Sequence, residues 1–408
     1  MKNDRRNDGG RDDAAPGTSG GPGGPSGPSA PRDPSAPGGP MSGLYLHVPF
    51  CKTKCPYCDF YSITSGMSVA GWISAVAEEA ALYRGVFGTF DTLYVGGGTP
   101  SLLGEEEIHA LFDVLTAAFD FALDSEITIE ANPDDVTASK LETWRDLGVN
   151  RVSLGVQSFD DSELRFLRRR HDAAQAERSI GEIRTAGFAN VGLDLMYGFE
   201  GQSLAAWERT LERALGFAPE HLSCYQMTID PETEFGRMLE AGTLTSAGEE
   251  AQRSFFMRTA EILRARGYLH YEISNFARDE RFISRHNHQY WNHTPYLGLG
   301  PSAHSFEGKM RWWNVRSVEE YCRSLARGGS AVEGRETLTE GELAFETLYL
   351  GLRTRDGVPL EALQRYPGWR STLETLLGES LVTVENDRAV PTLKGFCLAD
   401  RLATAFAG

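Results

Sequence analysis

"HVPFCKTKCPYCDF", His47 to Phe60, holds three cysteines, Cys51, Cys55 and Cys58, at steps of four and three residues. Asp59 and Phe60 follow, so the group stops at three. Directly before it lies a β-rich run, "LYLHV" at 44–48. Structural zinc takes four ligands, usually as two pairs. Here the other cysteines, Cys224, Cys322 and Cys397, stand alone, and His47 lies within the predicted strand. A disulfide framework would be denser and even in number. A four-iron, four-sulfur cluster is ordinarily held by four thiolates. Three thiolates leave one iron open to a small molecule, which accounts for a set that ends early.

Outward from the cysteines, β-rich runs alternate with helical patterns. The predicted strands cover 44–48, 91–96, 126–131, 150–156, 190–197 and 221–228. Amphipathic stretches such as "GEEEIHALFDVLTAAF" and "SLAAWERTLERALGF" lie between them. Strict alternation predicts βα units around a parallel sheet. Six units are fewer than a closed eight-unit barrel needs. The expected fold is therefore α/β, a partial (βα)6 barrel over 41–275. Functional groups in such sheets gather at the carboxyl ends of strands. Gly96-Gly97-Gly98-Thr99-Pro100, Glu130-Ala131-Asn132 and Gly155-Val156-Gln157 stand there. The glycine turn is expected to offer open N–H groups to a carboxylate. Asp194 sits inside apolar "VGLDLMYG", where an unpaired buried carboxylate would be costly.

Residues 276–335 form a less regular connecting region with an aromatic and histidine cluster, "HNHQYW" from His286 to Trp291. Beyond 336, helical patterns precede "LVTVENDRAVPT", a hairpin turning at Glu385-Asn386-Asp387. This predicts a winged-helix-like α+β unit over 336–408. Residues 1–40, rich in Gly, Pro and Ser, lack the apolar content to fold and are expected to be a disordered tail.

The net charge of −17 and pI of about 5.1 argue against a nucleic-acid coat or docking on an anionic membrane. There is no apolar run of about 18 residues and no signal-peptide stretch. Six cysteines in 408 residues, three of them clustered, suit a reducing cytoplasm.

C-x-x-x-C-x-x-C just after the first strand of a βα series resembles the radical S-adenosylmethionine (SAM) superfamily. The resemblance implies that the open iron chelates the amino and carboxylate groups of SAM, whose cleavage yields a 5′-deoxyadenosyl radical. "YLHVPFC", "GGGTPS", "LGVQSF", "RRRH" and "LDLMYG" in this order further resemble the oxygen-independent coproporphyrinogen III oxidase family. That family's pattern makes Cys51, Cys55 and Cys58 the cluster ligands. It places Tyr45, Gly97 and Glu130 at the cluster-bound SAM. Gly98, Thr99, Gln157, Arg169 and Asp194 match positions that hold a second SAM in the oxidase. His304 falls where the oxidase has an aliphatic residue near the first SAM. Phe60 stands where the oxidase has a fourth motif cysteine, a departure that argues against oxidase activity.

H-N-x-x-Y-W resembles the heme chaperone subgroup of that family, in which the motif is implicated in heme binding. The resemblance implies heme held by His286, Tyr290 and Trp291, with His288, His293 and His304 as alternative ligands. An imidazole can ligate heme iron, and the two aromatic rings offer flat apolar surface. The implied partners are heme and a heme-accepting protein, with a membrane-associated respiratory protein as one candidate. The electron donor is left open, and no nucleic acid is expected.

Overall fold

The computed structural model describes residues 41–407 apart from positions 65 and 67, so the tail at 1–40 lies outside the described residues. Six parallel strands run in sequence order: β1 (Ser42–Val48), β2 (Phe90–Gly97), β3 (Phe121–Ala131), β4 (Arg151–Gln157), β5 (Val191–Tyr197) and β6 (His221–Gln226). Helices fill the crossovers, as parallel pairing requires. The partial (βα)6 barrel read from the sequence is present.

Alternation within each strand explains both of its faces. Leu44, Leu46 and Val48 of β1 pack with Leu93, Val95, Ile129, Leu154 and Leu193 into one apolar core that includes helix residues Trp72, Leu111 and Trp207. The intervening residues point the other way. In β1, β4 and β5, Tyr45, Gly155, Gln157 and Asp194 are the partly open positions of otherwise buried strands. Glu130 of β3 is open in the same way; Gly97, in register with Val48, is the partly open residue that ends β2. The barrel's inner face is thus a polar cleft, and Asp194 belongs to it rather than to the apolar core. There it accepts from the Ser153 hydroxyl at 3.0 Å.

The sequence reading underestimated the sheet. It continues past β6 through β7 (Leu269–His270) and β8 (Asn275–Ala277). On the β1 side it continues through β9 (Tyr296–Leu299), β10 (His304–Glu307), β11 (Met310–Asn314) and β12 (Val332–Thr337). The order is β12-β11-β10-β9-β1-β2-β3-β4-β5-β6-β8-β7. β9 lies parallel to β1, and β10 to β12 extend it antiparallel.

The C-terminal segment has its own core, with Leu348, Leu363, Leu376, Ala403 and Phe406. Its small sheet is β13 (Val358–Pro359), β15 (Arg388–Pro391) and β14 (Val382–Glu385), in that order, with helices around it. Asn386 and Asp387 both have positive φ, 49° and 59°, the backbone of a two-residue type I′ hairpin. The winged-helix-like unit is present.

Candidate functional site

Three chain segments converge at the carboxyl ends of β1, β2 and β3. The cysteine loop leaves β1 and is tied down by backbone bonds from Cys51 N–H to Ile63 O, 3.0 Å, and Cys58 N–H to Cys55 O, 3.2 Å. All three thiols are free and partly exposed. Burial pushes the Cys58 thiol up to about 11, so it is protonated at neutral pH until a metal displaces the proton.

The glycine turn corrects one expectation. Its N–H groups are not open. Gly97 donates to Glu130 Oε2 at 3.1 Å, Gly98 to Val48 O at 2.8 Å and Thr99 to Phe50 O at 2.8 Å. With those donors committed, the turn can meet a ligand only through carbonyl oxygen, which suits an ammonium rather than a carboxylate. The glycines serve the approach of the two loops. A Cβ on Gly98 would lie 2.7 Å from the carbonyl oxygens of both Val48 and Phe50, and Gly97 has φ +104°. Gly98→Ala is therefore expected to cost roughly 2–3 kcal/mol and to dislodge the cysteine loop. Denaturant unfolding and iron content after reconstitution will check it; an alanine variant with normal values for both refutes this account.

Glu130 stands at the centre. Its Oε1 accepts from the Tyr94 hydroxyl at 2.8 Å and its Oε2 from Gly97. Burial pushes the carboxyl up to about 7. Tyr45 reaches His47 Nδ1 at 3.0 Å, while His47 Nε2 lies 2.8 Å from Tyr61 O. A carbonyl can only accept, so Nε2 carries the proton and the Tyr45 hydroxyl donates to Nδ1.

Thr99 Oγ1 lies 3.3 Å from Cys51 Sγ. Arg169 donates to Gly155 O at 2.8 Å and points Nη1 at Cys55 Sγ, 3.5 Å, and at Tyr57, 3.4 Å. Its Nε is buried without a partner. Gln157 has φ +66° at a register shift between β4 and β5, a conformation side chains adopt only when the surroundings enforce it. His304 is set apart. It is exposed on β10, two strands from β1, and its ring stacks on Trp313 at 6.0 Å.

Among the described residues no three His, Cys, Asp or Glu side chains converge on a single metal ion. A four-iron cube is wider than one ion. The three partly exposed thiols, the guanidinium beside Cys55 and its unpartnered Nε fit a thiolate-bound cluster with an anionic ligand. When bound, such a cluster supplies an electron to SAM.

"HNHQYW" forms the short helix Arg285–Trp291 at the opposite, amino-terminal mouth of the barrel. The Glu126 carboxylate receives the first two N–H groups of this helix, from Arg285 and His286, both at 3.1 Å. Ser284 caps it, and Arg285 Nη2 donates to Asp91 O and Asp124 O, each at 2.7 Å. A Cβ on Gly43 would lie 2.3 Å from Gln289 Oε1, so the glycine admits the helix against β1.

His286 is buried and engaged at both nitrogens. Gln289 donates its amide to Asp91 Oδ1 at 2.7 Å, which leaves its Oε1 to accept the Thr92 hydroxyl proton at 3.2 Å. Thr92 Oγ1 then accepts from His286 Nδ1 at 2.8 Å. His286 Nε2 accepts from the Tyr290 hydroxyl at 2.8 Å. Burial lowers the imidazole to about 3, so it is neutral. Tyr290 packs edge-on against Tyr296 at 4.7 Å, and Trp291 is half-buried. His293 meets Glu346 and Thr347, each at 3.3 Å, and His288 faces Asp356 at 3.4 Å.

The Radical SAM superfamily profile matches residues 45–214 and the HemN C-terminal domain profile residues 338–398. The heme chaperone HemW of Mycobacterium tuberculosis is 36% identical over 376 residues, 91% of this chain and 96% of that protein. The chain belongs to the HemW family. HemW of Bacillus subtilis is 34% identical over 379 residues, covering 90% of this chain and 100% of its own. Among solved structures, coproporphyrinogen III oxidase HemN of Escherichia coli, a radical SAM enzyme, is similar with a TM-score of 0.77. It is 25% identical, with 90% of each chain covered. The match to the radical SAM superfamily implies a four-iron cluster and SAM.

The sequence reading did not find Thr92, Tyr94, Glu126 and Gln289, which hold the lower mouth. Their only sequence signal is the polar half of an alternating strand and, for Gln289, the fifth position of a seven-residue helix.

Proposed function

We propose that this chain is a cytoplasmic heme chaperone: it binds heme and passes it to an acceptor protein while carrying a SAM-coordinated four-iron cluster. Similarity to HemW proteins along nearly the whole of both chains supports this reading. Cys51, Cys55 and Cys58 would hold the cluster. Tyr45, Gly97 and Glu130 would face its SAM, and Gly98, Thr99, Gln157, Arg169 and Asp194 line the adjoining cleft. His286, Tyr290 and Trp291 are the heme candidates. Phe60 takes the place of the oxidase's extra cysteine, and its side chain is 63% exposed on the cysteine loop. Among the described residues no helix is long and apolar enough to cross a membrane, so delivery to a membrane-associated respiratory acceptor would proceed by docking. The test is anaerobic reconstitution followed by heme titration and a coproporphyrinogen III turnover assay. The expected result is about one heme bound per chain, as one axial-ligand set would hold, and no protoporphyrinogen IX. Robust turnover without heme binding would make the chain an oxidase.

A further inference from the structure

The heme motif and the SAM cleft lie at opposite mouths of the barrel, yet contacts link them. The His286 ring stacks on Tyr94, centroids 5.1 Å apart and planes 26° apart, and on Tyr45 at 6.3 Å and 29°. Tyr94 is held in that stack with its hydroxyl 2.8 Å from Glu130 Oε1. Glu130 in turn fixes Gly97 N–H. The opposite edge of the imidazole is anchored to Thr92 and Tyr290, and the helix that carries it rests on Glu126. A Cβ on Gly96 would lie 2.8 Å from the Tyr94 ring and 3.0 Å from the Glu130 carboxyl, so the Tyr94–Glu130 pair is seated directly against the glycine turn.

We propose that His286 is a positioning residue for SAM: it props Tyr94 from below, and Tyr94 sets the Glu130 carboxylate and the Gly97 turn that meet the ligand. This rests on Glu130 and Gly97 as SAM contacts and goes beyond the heme role of the motif. The stack fixes the height of Tyr94 in the cleft. Without the ring beneath it, the tyrosine drops toward the lower mouth and Glu130 Oε1 loses its donor, leaving Gly97 N–H on Oε2. A carboxylate held by one donor in place of two is free to turn about the Gly97 bond, so the acceptor geometry for a ligand ammonium is lost with the Tyr94 bond.

The test uses the full chain with its cluster reconstituted and no heme present. It reads SAM affinity by titration and the SAM-induced change in the electron paramagnetic resonance spectrum of the reduced cluster. His286→Ala is expected to weaken SAM at least tenfold and to diminish the spectral change, at unchanged iron content. His286→Phe keeps a flat ring under Tyr94 without either nitrogen and is expected to restore most of the affinity. Because both residues act along one path, His286→Ala added to Tyr94→Phe should cost little beyond Tyr94→Phe alone. SAM affinity in His286→Ala within twofold of the unaltered chain, or full additivity with Tyr94→Phe, overturns the proposal. Glu130→Gln separates the two layers. If that variant binds SAM normally, the assignment of the SAM cleft fails. If it binds weakly while His286→Ala binds normally, only the positioning role fails.

Discussion

Replacing Cys51, Cys55 or Cys58 by alanine is expected to abolish iron loading, while replacing Cys224, Cys322 or Cys397 leaves it intact. Reconstituted protein should carry about four irons and four sulfides per chain, the content of the four-iron cluster its family membership implies. The contrast follows from position. The three loop thiols are partly exposed at the carboxyl ends of the strands. Cys224 is 1% exposed within the apolar core. Cys322 packs on the edge of that same core, and Cys397 contacts Met257 at 3.5 Å. A cluster already held by three thiolates has no spare protein ligand, so losing one cannot be compensated locally. Since the Cys58 thiol is pushed up to about 11 by burial, loading must release its proton and should be favoured by higher pH. Iron and sulfide analysis with visible absorption spectra decides the matter. Stoichiometric zinc in place of iron, or a full cluster in Cys51→Ala, would sink the assignment.

The cysteine loop and the six βα units were legible because their signals are local. A run of three spaced cysteines and a period-2 strand followed by an amphipathic helix are each readable within a dozen residues. Strand order was not read from the sequence; the structure sets β1 to β6 side by side in chain order. The glycine turn was located but its chemistry was misread, because the fate of its N–H groups depends on Val48, Phe50 and Glu130, which come from other strands. β9 to β12 were missed for a similar reason. β9 is only Tyr296–Leu299, too short to show alternation, and it is a strand by virtue of pairing with β1. Asp194 read as an anomaly in an apolar run until the inner face of the barrel proved polar. His286 shows the same limit most sharply. Its motif marked a site, but nothing near it in sequence announces Thr92, Tyr94 or Glu126, which lie 160 to 194 residues upstream.

Heme titration of His286 and Tyr290 variants should give opposite results. If His286 Nε2 is the axial ligand, its lone pair must first leave the Tyr290 hydroxyl, which now occupies it at 2.8 Å. Its neutral state, with the imidazole lowered to about 3, and the Nδ1 proton held by Thr92 leave it in the form that ligates iron, with a partner fixing its tautomer. Tyr290→Phe removes the competing donor. A net hydrogen bond is worth about 1 kcal/mol, so heme affinity should rise about fivefold. His286→Ala should weaken binding at least tenfold and shift the Soret band, with the cluster retained. It should also lower stability by about 2–4 kcal/mol, since it opens a cavity and strands the Tyr290 hydroxyl. Cysteine variants should still take up heme, because the two sites lie at opposite mouths. Unchanged heme affinity and spectrum in His286→Ala would remove this residue as the ligand and leave it as the support beneath Tyr94. The remaining histidines of the segment, His288 against Asp356 and His293 against Glu346, would then be the next to replace.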